Sequence, residues 1–336
     1  MKLNTVQKAI VALIIANVIW GAAAPIFKLS LQNIPPFTLA FLRFFIGAAI
    51  LLPILRGNVK LKLTSRRDFF LLLANALFGI TVNIIFFFLG LRLTYAINAP
   101  VIASAAPIIT LFFAIFLLRE PFRWKKVLGM LLGSIGILVI IFEPLLQKGF
   151  DGSIVGNLFL LIATFGAVGS TITGRDIMQK YSPMTLTFWA FVIGSASFLP
   201  LAIHEYVQNP TLYAVLDWRG YLGIIFGGLL SSAAAYSLFN WGLSKISATD
   251  TAMFTYIDPI AGSILAVLIL HEPITGLFLL GSTFIFGGIF LAEGRLHYHP
   301  FHKLRTIQEK APDVTSPPSK PTDRTAVIKH IFKNRI

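Results

Sequence analysis

The sequence predicts an all-α polytopic membrane protein whose ten transmembrane helices form two inverted five-helix repeats. Three observations lead there. Of 336 residues, 56% are hydrophobic and only 12% are charged, about half the charged share of an ordinary soluble domain. Long apolar runs recur along the whole chain. The chain also repeats itself. Pro107 and Glu120-Pro121 return 152 residues later as Pro259 and Glu272-Pro273, and the same shift lays Gly90-Leu91 on Gly242-Leu243, Ala96 on Ala248, and Gly129 and Gly136 on Gly281 and Gly288. Nearer the N-terminus a shift of 147 carries Pro36, Phe41, Phe44 and Gly47 onto Pro183, Phe188, Phe191 and Gly194. The five-residue difference predicts a longer connection in the second half, around 204–218. Two homologous membrane halves place a site between them.

A helix crosses a bilayer in roughly 20 mostly apolar residues. Such stretches fall at 8–29, 37–56, 68–91, 97–118, 124–143, 154–174, 184–204, 219–242, 250–270 and 274–293. The first is too long, and too poor in cleavage signals, for a removable leader. Five spans per half is an odd number, so the second copy enters the membrane from the opposite side. With the N-terminus inside, 23 of the 28 lysines and arginines lie on the inner side, four lie outside, and Arg43 lies within span 2. That bias puts both termini in the cytoplasm and accounts for the net charge of +14 without a nucleic-acid partner. The domains expected are a first repeat over 1–146, a second over 147–294, and a basic tail over 295–336. Within the tail, 311–325 is rich in Pro, Ser and Thr and reads as a disordered linker. The last stretch, 326–336, is either a short amphipathic helix on an anionic leaflet or plain disorder.

Polar groups in hydrocarbon are costly unless they face protein or water, so their helical spacing is informative. In span 1, Asn17, Gly21, Ala24 and Lys28 share a face. The repeat puts Thr164, Val168, Thr171 and Arg175 on the matching face of span 6. Lys28 and Arg175 then stand near opposite mouths, either drawing an anionic group or snorkelling to the interface. Span 3 presents Asn75, Gly79, Asn83 and Phe87, and span 8 presents Ser232, Tyr236 and Asn240. These stripes line a cavity or glue helices together; cavity is the reading taken for Asn83, Tyr236 and Asn240. In span 9, Thr251, Thr255, Asp258 and Gly262 share a face, beside Pro259, which cannot donate to the carbonyl one turn back. Asp258 is thus the candidate to carry a coupling proton or contact substrate, the alternative being a structural ion pair with Arg43. Glu120 and Glu272 read as capping residues of the turns before spans 5 and 10.

Absences narrow the class. There is no cysteine, hence no disulfide or thiolate chemistry. No GxxxxGK[ST], HExxH or GxSxG occurs, so neither an ATP motor nor a familiar hydrolase is indicated. His297, His299 and His302 lack a neighbouring carboxylate, and no metal site or cofactor is assigned.

The run WGAAAPIFKLSLQNIPPFTLAFLR, with Trp20-Gly21, Pro25, Lys28, Pro36 and Arg43, resembles the first two spans of the drug/metabolite transporter superfamily, specifically its EamA-type permeases. AAAYSLFNWGLSKISAT and FTYIDPIAGSILAVLILHEP resemble the same family's span 8 and its span 9–10 junction. The resemblance covers about residues 8–293. It implies five-plus-five inverted topology, a cavity surrounded by spans 1, 3, 4, 6, 8 and 9, and export of small metabolites, often amino acids. The pathway expected on this basis comprises Asn17, Trp20, Lys28, Asn83, Phe87, Ser104, Thr171, Arg175, Ser232, Tyr236, Asn240, Thr255 and Asp258. The reading is a secondary transporter in an inner membrane, not an enzyme. Its partners are a small-molecule substrate, lipid and coupling protons; an uncoupled facilitator is the alternative, and an intramembrane enzyme a more distant one. Two departures stand out: at the 152-residue shift Ile172-Thr173 replaces Trp20-Gly21 in the second copy, and His-Glu-Pro precedes span 10.

Overall fold

The computed structural model describes residues 4–56, 59–61, 63–116, 124–149, 151–178, 180–245 and 254–293. These residues form an integral membrane protein of ten spans, seven of them long apolar helices and three shorter. Inside a bilayer a segment must satisfy its own backbone, which is why the apolar runs become helices. Span 1 is Thr5–Ser30, opened by a reciprocal cap in which Gln7 N–H donates to Asn4 Oδ1 at 2.8 Å and Asn4 N–H to Gln7 Oε1 at 3.0 Å. Span 2 is Pro36–Ile54, span 5 Trp124–Lys148, span 6 Gly152–Met178, span 7 Pro183–Gln208 and span 10 Gly276–Glu293. The longer connection after span 7 holds a short helix, Thr211–Ala214.

Spans 3 and 8 carry the same irregularity. Span 3 runs Arg66–Leu93 with a π-helical stretch at Leu77–Val82; span 8 runs Trp218–Leu243 with one at Phe226–Ala234. Span 4 is broken: it consists of Asn98–Ala103 and Ala106–Phe116, separated by a turn at Ser104 and Ala105. The described part of span 9 opens with a 3₁₀ turn, Phe254–Tyr256, that passes directly into Ile257–Leu270. A proline follows each irregularity by a few residues. Pro107 and Pro259 lack the N–H that would bind one turn back, and each discourages helical geometry in the residue before it.

The halves are related by a two-fold operation, visible in the seam between spans 5 and 10. A Cβ on Gly136 would stand 2.5 Å from the Gly281 carbonyl oxygen, and one on Gly288 would stand 2.5 Å from that of Gly129. The repeat carries Gly129 to Gly281 and Gly136 to Gly288, so it converts one contact into the other. Residue numbers rise along one helix as they fall along its partner, as inverted copies require. Between spans 2 and 7 the equivalent rings of Phe44 and Phe191 meet at 5.3 Å. Span 1 packs on spans 8 and 9, and its equivalent, span 6, packs on spans 3 and 4.

Arg43 is buried beside this axis. Its Nε donates to Ser232 Oγ and its Nη2 to Ser231 Oγ, both at 3.1 Å, and the guanidinium lies 4.9 and 4.8 Å from the rings of Phe27 and Phe44. Hydroxyls and ring faces, not Asp258, take its charge. At the membrane surfaces the halves tie each other's helix ends. Asp68, at the start of span 3, accepts from Lys180 Nζ and Tyr181 OH of the span 6–7 loop, both at 2.9 Å. On the other side Asp217 caps span 8 by accepting from Arg219 N–H at 2.8 Å, and its own N–H donates to Asn33 Oδ1 of the span 1–2 loop at 2.8 Å. The Arg219 guanidinium holds the Asp217 carboxyl below the usual carboxylate range.

Candidate functional site

A cavity of about 740 Å³ lies between the halves, within the range typical of small-molecule sites (roughly 300–1,000 Å³). Both irregular spans, 4 and 9, face it. The 152-residue shift lays Ser104, Ala106 and Pro107 on Tyr256, Asp258 and Pro259, and all six line the cavity. Span 1 adds Trp20 and Ala24, span 3 Phe87, and span 6 Val168 and Thr171. Lys126, in the first turn of span 5, completes the wall on the side where the N-terminus lies.

The wall is preorganised. Trp20 donates its indole N–H to the Ser231 carbonyl at 3.1 Å and packs against the rings of Tyr236 and Phe239, each 5.1 Å away. Tyr256 stacks on Phe290 at 6.2 Å. Phe87 meets Phe27 edge-on at 6.5 Å. Gly21 fixes span 9 against span 1: a Cβ there would stand 2.6 Å from the Asp258 carbonyl oxygen and 2.8 Å from Ala261 Cβ. The absence of that Cβ lets the backbone of span 9 at Asp258 sit directly against span 1. Asp258 Oδ1 is buried with no hydrogen-bond partner, and among the described residues no salt bridge reaches the carboxylate.

Of the residues expected from sequence, Trp20, Phe87, Ser104, Thr171, Thr255 and Asp258 come together on this wall. Others lie in packed seams. Asn17 donates to the Leu13 carbonyl of its own helix at 2.7 Å, and Asn83 donates to the Ala163 carbonyl of span 6 at 2.7 Å. Ser232 is taken by Arg43, Tyr236 sits between the rings of Trp20 and Phe191, and Asn240 Nδ2 points at Met184 Sδ, 3.5 Å away. The side chain of Arg175, along with Glu120, Thr251, Ala248 and the tail with its histidines, falls outside the described residues.

Lys28 and Glu272 meet at the end of the molecule opposite Lys126. Glu272 is buried and accepts from the N–H groups of Ala96 and Ile97, both at 2.8 Å. It therefore caps the start of span 4 rather than its own span 10. Lys28 Nζ lies 3.3 Å from Glu272 Oε1, donates to the Thr94 carbonyl and stands over the Tyr95 ring. Anchoring continues through Asn157, whose Oδ1 accepts from Thr94 Oγ1 at 2.7 Å and Asn98 Nδ2 at 3.0 Å. A carboxylate at a helix N-terminus with a cation beside it is favourable on both counts. The sequence reading missed this tie, Lys126 and the break at Ser104 and Ala105. Carrying the repeat shift residue by residue from Asp258 back to Ala106 would have placed span 4 on the wall opposite span 9.

Comparisons with known proteins agree with this architecture. A model of the EamA-like transporter family matches residues 7–142 and again 154–293. The chain is similar to the uncharacterized transporter YetK of Bacillus subtilis, at 28% identity over 286 residues, 84% of this chain and 86% of that one. It is 24% identical over 291 residues to an uncharacterized transporter of Archaeoglobus fulgidus, covering 87% and 99% of the two chains. An S-adenosylmethionine uptake transporter of Rickettsia prowazekii is 28% identical over 240 residues, 70% of this chain and 75% of that protein. One chain of known crystal structure superposes with a TM-score of 0.54 at 20% identity, covering 84% of this chain and 96% of its own; that is a likeness of fold.

Proposed function

Because the chain belongs to the EamA-like transporter family, we propose that it is a secondary transporter that exports small metabolites, amino acids or related carboxylates among them, by alternating access between its halves. One observation carries the reading. Asp258, whose buried Oδ1 has no hydrogen-bond partner among the described residues, lines a cavity between two repeat-related spans, each irregular beside a proline. Broken helices at a repeat interface are where transporters of this build hold solute and coupling ion. In this reading each half is one five-helix repeat, 1–146 and 147–294.

The cavity reaches Lys126, Thr171 and Thr255 on the N-terminal side, while Glu272 and Lys28 join spans 1, 4 and 9 on the other. The lysine and arginine distribution supports a cytoplasmic N-terminal side in a plasma (inner) membrane, so the state described faces the cytoplasm. Two single-cysteine variants, K148C and K320C, test the orientation in a chain that has no cysteine of its own. An impermeant reagent added to intact cells labels the first and spares the second; the reverse pattern overturns the orientation.

Asp258 carries the coupling proton in this reading. Proteoliposomes holding wild type concentrate substrate when a pH gradient is imposed. The Asp258→Asn variant keeps the shape and some hydrogen bonding but cannot ionise, so it exchanges substrate without accumulating it. Accumulation by the variant equal to wild type defeats proton coupling at Asp258. A wild type that equilibrates substrate but never concentrates it is a facilitator.

A further inference from the structure

We propose that the cavity selects a solute with a cationic ammonium head and a compact apolar or aromatic body, the head bound by Asp258 and the body by Trp20, Phe87 and Tyr256. This rests on the transport reading above and narrows it, since simple carboxylates become poor ligands. The cation expected from sequence to draw an anion at one mouth, Lys28, is committed to Glu272 and the Thr94 carbonyl. Three hydrogen-bond donors on the wall are committed as well. Trp20 N–H is given to the Ser231 carbonyl, Ser104 Oγ to the Val101 carbonyl at 2.6 Å, and Thr171 Oγ1 to the Ala167 carbonyl at 3.0 Å. A carboxylate entering the cavity meets those donors already engaged and Asp258 repelling it.

A cation meets the opposite surroundings. Asp258 Oδ1 has no partner, and a charge in a low-dielectric site is stabilised by an opposite charge more than by anything else available there. Ring faces attract cations, each contributing about 0.5–2 kcal/mol. The rings are held by their own neighbours, so little side-chain freedom is lost when a ligand arrives. Gly21 lets the Asp258 backbone approach span 1, and Asp258 and Trp20 line the same cavity. An ammonium and a proton are then alternative occupants of one carboxylate, which is consistent with Asp258 serving both. An amino acid remains a ligand, since it brings its ammonium.

Three probes share one body and differ in head charge: phenethylamine, phenylalanine and phenylacetate. Purified full-length protein in lipid nanodiscs is equilibrated with radiolabelled phenethylamine and competed with each. Phenethylamine and phenylalanine are expected to displace the label at least about tenfold more effectively than phenylacetate, and Asp258→Asn is expected to erase most of that ratio. Competition by phenylacetate equal to that of phenethylamine, absence of saturable binding to wild type, or an unchanged ratio in a folded variant each overturns the proposal. The wild-type charge series decides even if the variant fails to fold. Binding is read at equilibrium with no gradient, so these failures leave the transport reading standing; that reading fails only when proteoliposomes show no flux.

Discussion

The seam between spans 5 and 10 and the wall formed by spans 4 and 9 are built from the same repeat, yet they treat it differently. In the seam, the two contacts are each other's repeat: Gly129 against Gly288, Gly136 against Gly281. On the wall, equivalents face one cavity and differ: Ser104 opposite Tyr256, Ala106 opposite Asp258. Symmetry persists where two backbones must touch, because any side chain there intrudes on both halves alike. It is broken where chemistry is placed, so that one half supplies the carboxylate and the other a featureless methyl. The lesson is that the scaffold keeps two equivalent halves while the cavity wall is chemically one-sided.

The sharpest way to break the comparison is to attack the seam from both sides. Gly136→Val and Gly288→Val each drive a side chain into partner backbone that cannot rotate away, at a cost of about 3 kcal/mol or more. Near-equal losses of thermal stability in detergent are expected from the two variants, because one two-fold operation relates their contacts. A large loss from one and none from the other would show the seam to be asymmetric.

The wall is tested next by moving the acid. Asp258→Ala abolishes gradient-driven accumulation, and adding Ala106→Asp, which restores a carboxylate at the equivalent position, recovers part of it. A loss of at least about tenfold in steady-state accumulation is expected for the single change, with stability moving by no more than about 1 kcal/mol. A double variant as inactive as the single one shows that Asp258 acts through its immediate neighbours on span 9, not through the cavity alone.

The end that holds Lys28 and Glu272 is tested last. Glu272→Ala strips the cap from Ala96 and Ile97 and strands Lys28, costing roughly 3 kcal/mol. Lys28→Met leaves the cap in place and costs about 1 kcal/mol, since the lysine is partly exposed. Equal costs would mean that the ion pair, rather than the cap, ties this end together.

Span positions were legible in the sequence to within a few residues, because burial in lipid demands long apolar runs and nothing else produces them. The break in span 4 was less so. Pro107 announces a weakened helix, but where the chain turns depends on which groups receive the freed carbonyls. The polar stripes were ambiguous for a physical reason. Asn83 and Asp258 both avoid lipid, yet one finds a neighbouring carbonyl on span 6 while the other finds a cavity. Helical spacing shows that a face is not lipid-exposed; it does not say which alternative satisfies it. Lys28 and Glu272, distant in sequence, reveal their pairing only in three dimensions.

Glu272 carries a consequence for how the protein is made. It caps Ala96 and Ile97 from 176 and 175 residues downstream, and Glu205 caps Phe37 and Thr38 from 168 and 167 residues downstream. Ribosomes add about 5–20 residues per second, so the first half enters the membrane on the order of 10 s before the carboxylates that complete its helix ends exist. During that interval the amides at the starts of spans 2 and 4 are served by water, headgroups or the insertion machinery. The first repeat is therefore born unfinished, and its completion waits on the translation of its sibling.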